Sequence, residues 1–286
     1  MSVKSNLKPV TVKTILKQKE QNQKITMLTA YDYSTAKCLD EAGIDTILVG
    51  DSLGMTMLGY ENTLNVTMDE MKIFTKAVAR GTSRALVVAD MPFMSYHCSK
   101  EQAVKNAGDL IQSGAQAVKI EGANDFIIDI VKHLTGCGIA VVGHLGFTPQ
   151  YINSIGGYFV QGKSFENSIQ LYEDAKKLQK AGAFAVVFEM VPEETAKYIT
   201  ENLTIPTIGI GAGRYCDGQV LVVDDVIGKY ADFTPKFAKK YADIKSIISQ
   251  SAQQYIEDTQ NGLFPQEEHV FNLKPEEKTK IDNYFN

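Results

Sequence analysis

The sequence predicts an α/β fold, a single (β/α)8 TIM barrel, and three observations predict it. Short β-branched apolar runs recur along the chain, glycines close the helical stretches between them, and four carboxylates stand at or beside the ends of runs. The runs are Ile25 to Thr29, Thr46 to Gly50, Ala85 to Ala89, Ala117 to Ile120, Ala140 to Gly143, Phe184 to Phe188 and Thr207 to Ile210, with a weaker eighth near Asp232 to Thr234. They are apolar throughout rather than alternating, as strands of a parallel sheet covered on both faces must be. An open doubly wound sheet is the competing arrangement. The strand count favours the barrel, where chemistry collects at the C-terminal ends of strands.

The helices are marked at both ends. Gly43, Gly81, Gly114, Gly138 and Gly182 sit where a left-handed C-cap turns the chain back into a strand. Ala42-Gly43-Ile44, Ser113-Gly114-Ala115 and Ala181-Gly182-Ala183 read as echoes of one unit. Thr67 with Glu70 and Ser99 with Gln102 have capping-box spacing, and Pro192 suits a first helical turn. Residues 11 to 23 form a polar amphipathic pattern before the first strand, and Asp243 to Thr259 another after the last. Asn261-Gly262 ends the expected barrel unit, residues 1–262. Residues 263–286, charged and carrying Pro265 and Pro275, are expected to form a C-terminal tail.

Composition narrows the function classes. The chain has 286 residues and 44% hydrophobic content, enough for a large core. A formal charge of -5 with no basic stripe argues against nucleic acid. Cys38, Cys98, Cys137 and Cys216 are scattered, without a CxxC pair, which fits reduced cytoplasm rather than a disulfide framework or zinc ribbon. The polar N-terminus and the absence of a long apolar run predict neither export nor a membrane anchor.

The strand-ending carboxylates are Asp51, Asp90, Glu121 and Glu189. Asp51 lies in Val49-Gly50-Asp51-Ser52-Leu53-Gly54, where glycines admit a ligand and Ser52 supplies a hydroxyl. Asp90 precedes Met91-Pro92-Phe93, and proline redirects the chain there. Period-two alternation puts Lys119 and Glu121 on one face of their strand. Asp, Asp and Glu without clustered histidines or thiolates favour a hard cation, most plausibly Mg²⁺. Ion pairing or helix capping is the ordinary explanation for any one of them. Glu189 has almost wholly apolar chain neighbours, a setting that raises a carboxyl pKa and suits a general base; the competing reading is a cap on the helix starting at Pro192. His144, past another strand, reads either as an orienting or protonating group or as a structural histidine. Gly209-Ile210-Gly211-Ala212-Gly213 reads either as a phosphate cradle or as tight packing at the barrel mouth.

Taken together these segments resemble the ketopantoate hydroxymethyltransferase family, also called 3-methyl-2-oxobutanoate hydroxymethyltransferase. The resemblance runs nearly the full length, through Thr29-Ala30-Tyr31-Asp32-Tyr33, Val49 to Met55, Ala89-Asp90-Met91-Pro92-Phe93, Val118-Lys119-Ile120-Glu121-Gly122, Gly143-His144-Leu145-Gly146, Gly209 to Gly213 and Asp217-Gly218-Gln219-Val220-Leu221-Val222. It implies a barrel of the phosphoenolpyruvate/pyruvate-utilising type, a cytoplasmic homodecamer and one Mg²⁺ per subunit. It also implies that Asp51, Asp90 and Glu121 hold the metal directly or through water, that Asp51, Ser52, Asp90 and Lys119 bind the α-ketoacid, and that Glu189 handles the C3 proton. The implied reaction passes a hydroxymethyl group from 5,10-methylenetetrahydrofolate to 3-methyl-2-oxobutanoate through a Mg-stabilised enolate, in pantothenate biosynthesis. Family chains commonly finish near Glu267-Glu268-His269, whereas this one runs on to Asn286. Two other readings stand beside it: a Mg²⁺-dependent lyase or mutase acting on another small α-ketoacid, and a barrel that binds without catalysis.

Overall fold

The computed structural model describes residues 8–230 and 235–286. Eight parallel strands close into a barrel in sequence order. They are β1 (Ile25–Thr29), β2 (Thr46–Val49), β3 (Leu86–Asp90), β4 (Ala117–Glu121), β5 (Val141–Gly146), β6 (Ala185–Glu189), β7 (Thr207–Ile210) and β8 (Gly218–Leu221). The helices are α1 (Val12–Glu20), α2 (Tyr33–Glu41), α3 (Leu53–Thr56), α4 (Met68–Gly81), α5 (Lys100–Gln112), α6 (Asp125–Gly136), α7 (Ile152–Ile155), α8 (Phe165–Lys180), α9 (Glu193–Glu201), α10 (Val223–Val226), α11 (Ile244–Gln260) and α12 (Pro275–Phe285).

Seven strands lie where the apolar runs predict. The eighth differs: the expected segment near Asp232 to Thr234 lies outside the described residues, and Gly218–Leu221 closes the barrel, pairing with β1 from Ile25↔Gly218 to Leu28↔Leu221. A side chain at Gly218 would lie 2.5 Å from the Ile25 carbonyl oxygen, so this closing strand begins on a residue that strand propensity disfavours.

Both faces of β2 to β6 are buried or nearly so, which is why their runs are apolar, whereas β1 and β8 expose Thr26 and Gln219. Ile25, Met27, Leu48, Leu86, Val88, Ala117, Val142, Ala185, Val187, Ile208 and Val220 fill one core, the barrel interior. Ile47, Val49, Val87, Ala89, Val118, Ile120, Val141, Val186 and Phe188, one position out of phase, pack outward against the helices. Continuing the inward set by two residues at a time carries β3, β4, β5 and β6 to Asp90, Lys119, Glu121, His144 and Glu189.

The caps follow the sequence with two differences. Thr67 and Glu70 form the reciprocal box, whereas Ser99 only accepts the Gln102 N–H, at 3.2 Å. Gly43, Gly114, Gly138 and Gly182 have positive φ, but Gly81 does not: it closes α4 where a side chain would lie 2.4 Å from the Tyr33 carbonyl oxygen. Close approach of α2, not a turn, selects glycine there. No helix among the described residues is long and apolar enough to cross a membrane. α11 buries no residue, and α12 is exposed along its whole length.

Candidate active site

Asp51, Ser52, Asp90, Lys119, Glu121, His144 and Glu189 all line one cavity of about 1090 Å³ at the C-terminal end of the barrel. Strand register brings them together: Asp90 pairs with Lys119, and Glu121 with His144. Asp51 follows β2, and its backbone N–H donates to Asp90 Oδ2 at 3.0 Å. Lys119 Nζ lies 3.1 Å from Asp90 Oδ1 and 3.9 Å from Glu121 Oε1, so the predicted shared face of Lys119 and Glu121 is present. Glu121 Oε1 lies 3.1 Å from His144 Nδ1, and Glu121 Oε2 accepts the Gln150 N–H at 3.0 Å. Ser52 Oγ pairs with the buried Tyr31 hydroxyl at 2.8 Å.

The charges do not balance. Burial, then Asp90 and Glu121, hold the Asp51 carboxyl well above the usual carboxylate range. Burial also raises Asp90, although Lys119 opposes it. Glu121 is drawn down despite burial, because His144 and Lys119 present positive charge and Gln150 donates to it. Burial disfavours the Lys119 ammonium, but Asp90, Glu121 and Asp51 outweigh that and keep it protonated. His144 is pushed down by burial and Lys119, yet Glu121 and Glu189 prevail and lift it to about 9. Its Nδ1 lies between Glu121 Oε1 and Lys119 Nζ, 3.1 and 3.3 Å away.

Asp51 and Asp90 therefore fit a hard cation by donor chemistry: buried oxygens in a surplus of negative charge that a divalent ion offsets. Among the described residues no three acidic, histidine or cysteine side chains close into a cage. Mg²⁺ does not need one, since it keeps waters and substrate oxygens beside one or two carboxylates.

Glu189 is placed differently from its sequence setting. Phe188 and Val186 face the helices, so only part of the apolar run, Val187, Met190 and Val191, shares the cavity with the carboxylate. Its Oε2 faces the cavity 3.4 Å from His144 Nε2. The next residue, Met190, has a φ of 50°, a left-handed conformation costing a non-glycine residue about 1 kcal/mol. Glu189 thus sits on the last regular position of β6, at a bend held by Met190 N–H donating to the Ile210 carbonyl at 2.9 Å.

The glycine loop after β7 resolves toward packing. Side chains at Gly209, Gly211 and Gly213 would meet Cys216, Phe237 and Glu193 at 3.1, 2.7 and 2.5 Å. Its neighbours are protein groups. Three residues escaped the sequence reading: Tyr31, Tyr96 and Gln150, all buried behind the carboxylates. Thr148-Pro149-Gln150 signals a helical turn, with Pro149 at its first position, but nothing in the string marks Gln150 as a partner of Asp51.

The profile of the ketopantoate hydroxymethyltransferase family matches residues 9–267. The chain belongs to this family. It is 56% identical over 264 residues to the 3-methyl-2-oxobutanoate hydroxymethyltransferase of Acetivibrio thermocellus, covering 92% of this chain and 93% of that one. With the enzyme of the same name from Syntrophus aciditrophicus it shares 54% over 272 residues, 95% of this chain and 100% of that one. The family member described here is an enzyme, a hydroxymethyltransferase. Solved structures of similar fold include phosphonopyruvate hydrolase with oxalate and Mg²⁺ (TM-score 0.59, 10% identity, 96% of each chain). Another is 2,3-dimethylmalate lyase of the PEP mutase/isocitrate lyase superfamily (TM-score 0.57, 12% identity, 96% of this chain and 99% of that one). At such identities they speak for the fold alone, a closed eight-stranded (β/α)8 barrel.

Proposed function

We propose that this hydroxymethyltransferase makes ketopantoate from 3-methyl-2-oxobutanoate, with 5,10-methylenetetrahydrofolate as one-carbon donor and Mg²⁺ as resident ion, in cytoplasmic pantothenate biosynthesis. The observation that carries the reading is the division of the cavity. Buried acids beside an ammonium gather on β2 to β4, and Glu189 faces the same space from β6.

Asp51, Asp90 and Glu121 would hold the metal, directly or through water, from buried oxygens that line one cavity. When bound, Mg²⁺ supplies Lewis-acid polarisation of the ketoacid's oxygens. Lys119 places positive charge where the keto oxygen gains electrons, and Asp90 holds that ammonium in place. Ser52, fixed by Tyr31, hydrogen-bonds the ketoacid carboxylate. Glu189 removes the C3 proton, giving the enolate, with His144 Nε2 3.4 Å from its Oε2. With both substrates aligned in the cavity, the C3 carbon bonds to the folate methylene carbon as one of its two C–N bonds breaks. Water then replaces the remaining nitrogen, leaving CH2OH on C3 and releasing tetrahydrofolate with its nitrogens reprotonated.

Self-association belongs to the same proposal. α11 and the segment after it leave Ile247, Ile248, Tyr255, Ile256, Leu263, Phe271, Tyr284 and Phe285 exposed, apolar surface that supports a homo-oligomer, a decamer by resemblance to the family.

The test is solvent deuterium exchange at C3 of 3-methyl-2-oxobutanoate with Mg²⁺. Glu189→Gln is expected to slow exchange by about 10²- to 10⁴-fold and to keep Mg²⁺ binding; undiminished exchange removes Glu189 as the base. Product formation with and without methylenetetrahydrofolate separates the transferase from a lyase, since turnover without folate contradicts the proposed reaction.

A further inference from the structure

We infer that Gln150 is the positioning residue that sets Asp51 against Glu121 for the divalent ion, and that Tyr96 locks its amide in the only orientation that does so. This rests on the metal-binding reading above. Gln150 is buried and outside the cavity lining, so it touches no substrate and acts through its neighbours.

The direction of each hydrogen bond follows from one fixed donor and one fixed acceptor. The Glu121 backbone N–H can only donate, and it donates to the Tyr96 hydroxyl at 3.1 Å. That oxygen is therefore an acceptor there, and its single proton is free to point at Gln150, 2.7 Å away. Gln150 meets it with the carbonyl oxygen Oε1, and the Met91 carbonyl oxygen, which can only accept, also requires the amide NH2 on the other side. The two Nε2 hydrogens then go to Asp51 Oδ2 and the Met91 carbonyl oxygen, both at 2.9 Å. Meanwhile the Gln150 backbone N–H holds Glu121 Oε2. One residue thus grips an oxygen of each of two acids, by side chain and by main chain.

A flipped amide would set Oε1 against Asp51 Oδ2, two acceptors in a buried site, and leave the Tyr96 hydroxyl facing a donor.

The experiment measures Mg²⁺ affinity by isothermal titration calorimetry on the full chain, for wild type, Gln150→Met, Tyr96→Phe and the double variant, with folding checked by circular dichroism. Gln150→Met, nearly equal in volume, is expected to weaken Mg²⁺ binding by about 10- to 100-fold. Tyr96→Phe weakens it in the same direction by a smaller factor, and adds nothing once Gln150 is Met, because Tyr96 acts through Gln150. Mg²⁺ affinity in folded Gln150→Met within about twofold of wild type overturns the inference. So do effects of the two substitutions that multiply in the double variant. Should Gln150→Met not fold, unchanged affinity in Tyr96→Phe, which loses one hydroxyl, overturns it. Failure of wild type itself to bind Mg²⁺ refutes instead the reading on which the inference rests.

Discussion

Gly146 offers a way to move the proposed base without touching its side chain. It ends β5 with a φ of +90°, and a Cβ placed there would lie 2.2 Å from the Glu189 carbonyl oxygen and 2.7 Å from Val191 Cγ2. Gly43 is the matched control, because it has the same φ of +90° and nothing within 4 Å of its Cβ position. Gly43→Ala therefore measures backbone strain alone, about 1 kcal/mol of stability. Gly146→Ala adds a clash that only main-chain movement relieves, since the obstructing atom is a carbonyl tied to the Phe147 N–H at 2.8 Å. Reaching an ordinary contact of 3.4 Å requires a shift of about 1.2 Å at Glu189. A displacement of about 1 Å at a reacting group costs about 10²-fold in rate. The expected result is a C3 exchange rate about 10²-fold lower in Gly146→Ala and unchanged in Gly43→Ala, with urea unfolding showing Gly146→Ala to be the less stable. Wild-type exchange in folded Gly146→Ala refutes the reasoning, because Glu189 would then tolerate the displacement.

Asp40 supplies a pH-dependent test far from the cavity. Its buried carboxylate accepts N–H groups of Ser83, Arg84 and Ala85 at 3.0, 3.0 and 2.7 Å. Burial alone would raise its pKa, but the Ala85 and Ser83 donors win and hold it below the usual value. Asp40→Ala is expected to cost about 3 kcal/mol near neutral pH, measured by urea unfolding, since several main-chain donors lose their acceptor. The advantage of wild type over Asp40→Ala is full above the ordinary carboxylate pKa of about 4 and declines as pH falls through the depressed folded-state pKa; a constant difference down to pH 2 contradicts this. Thr67→Ala removes the α4 capping box and is expected to cost about 1 kcal/mol by the same measurement, with no loss at all counting against the cap. Deleting residues 243–286 is expected to lower the assembly mass in analytical ultracentrifugation, and an unchanged number of subunits excludes this arm from the interface.

What could be read from the sequence was what repeats along it. Leu86, Val88 and Asp90 alternate into the barrel, so a carboxylate at the end of that file is visible in a string of residues; Lys119 with Glu121 is visible for the same reason. The eighth strand was missed because closing the ring required glycine against the Ile25 carbonyl, and local propensity cannot register a neighbour 193 residues away. Glu189 shows the same limit in reverse. Its chain neighbours are apolar, yet alternation sends Val186 and Phe188 to the helices, and a polar group, His144 on the adjoining strand, faces the carboxylate. The Gln150 bond to Asp51 spans 99 residues and starts from a loop without periodicity. Strand-end identities thus fix which chemical groups enter the cavity, whereas their separations and charge states depend on contacts between strands and loops. That is why Asp51, Asp90 and Glu121 were legible as candidates while their partners, Gln150 for Asp51, Lys119 for Asp90 and His144 for Glu121, were visible only in the fold.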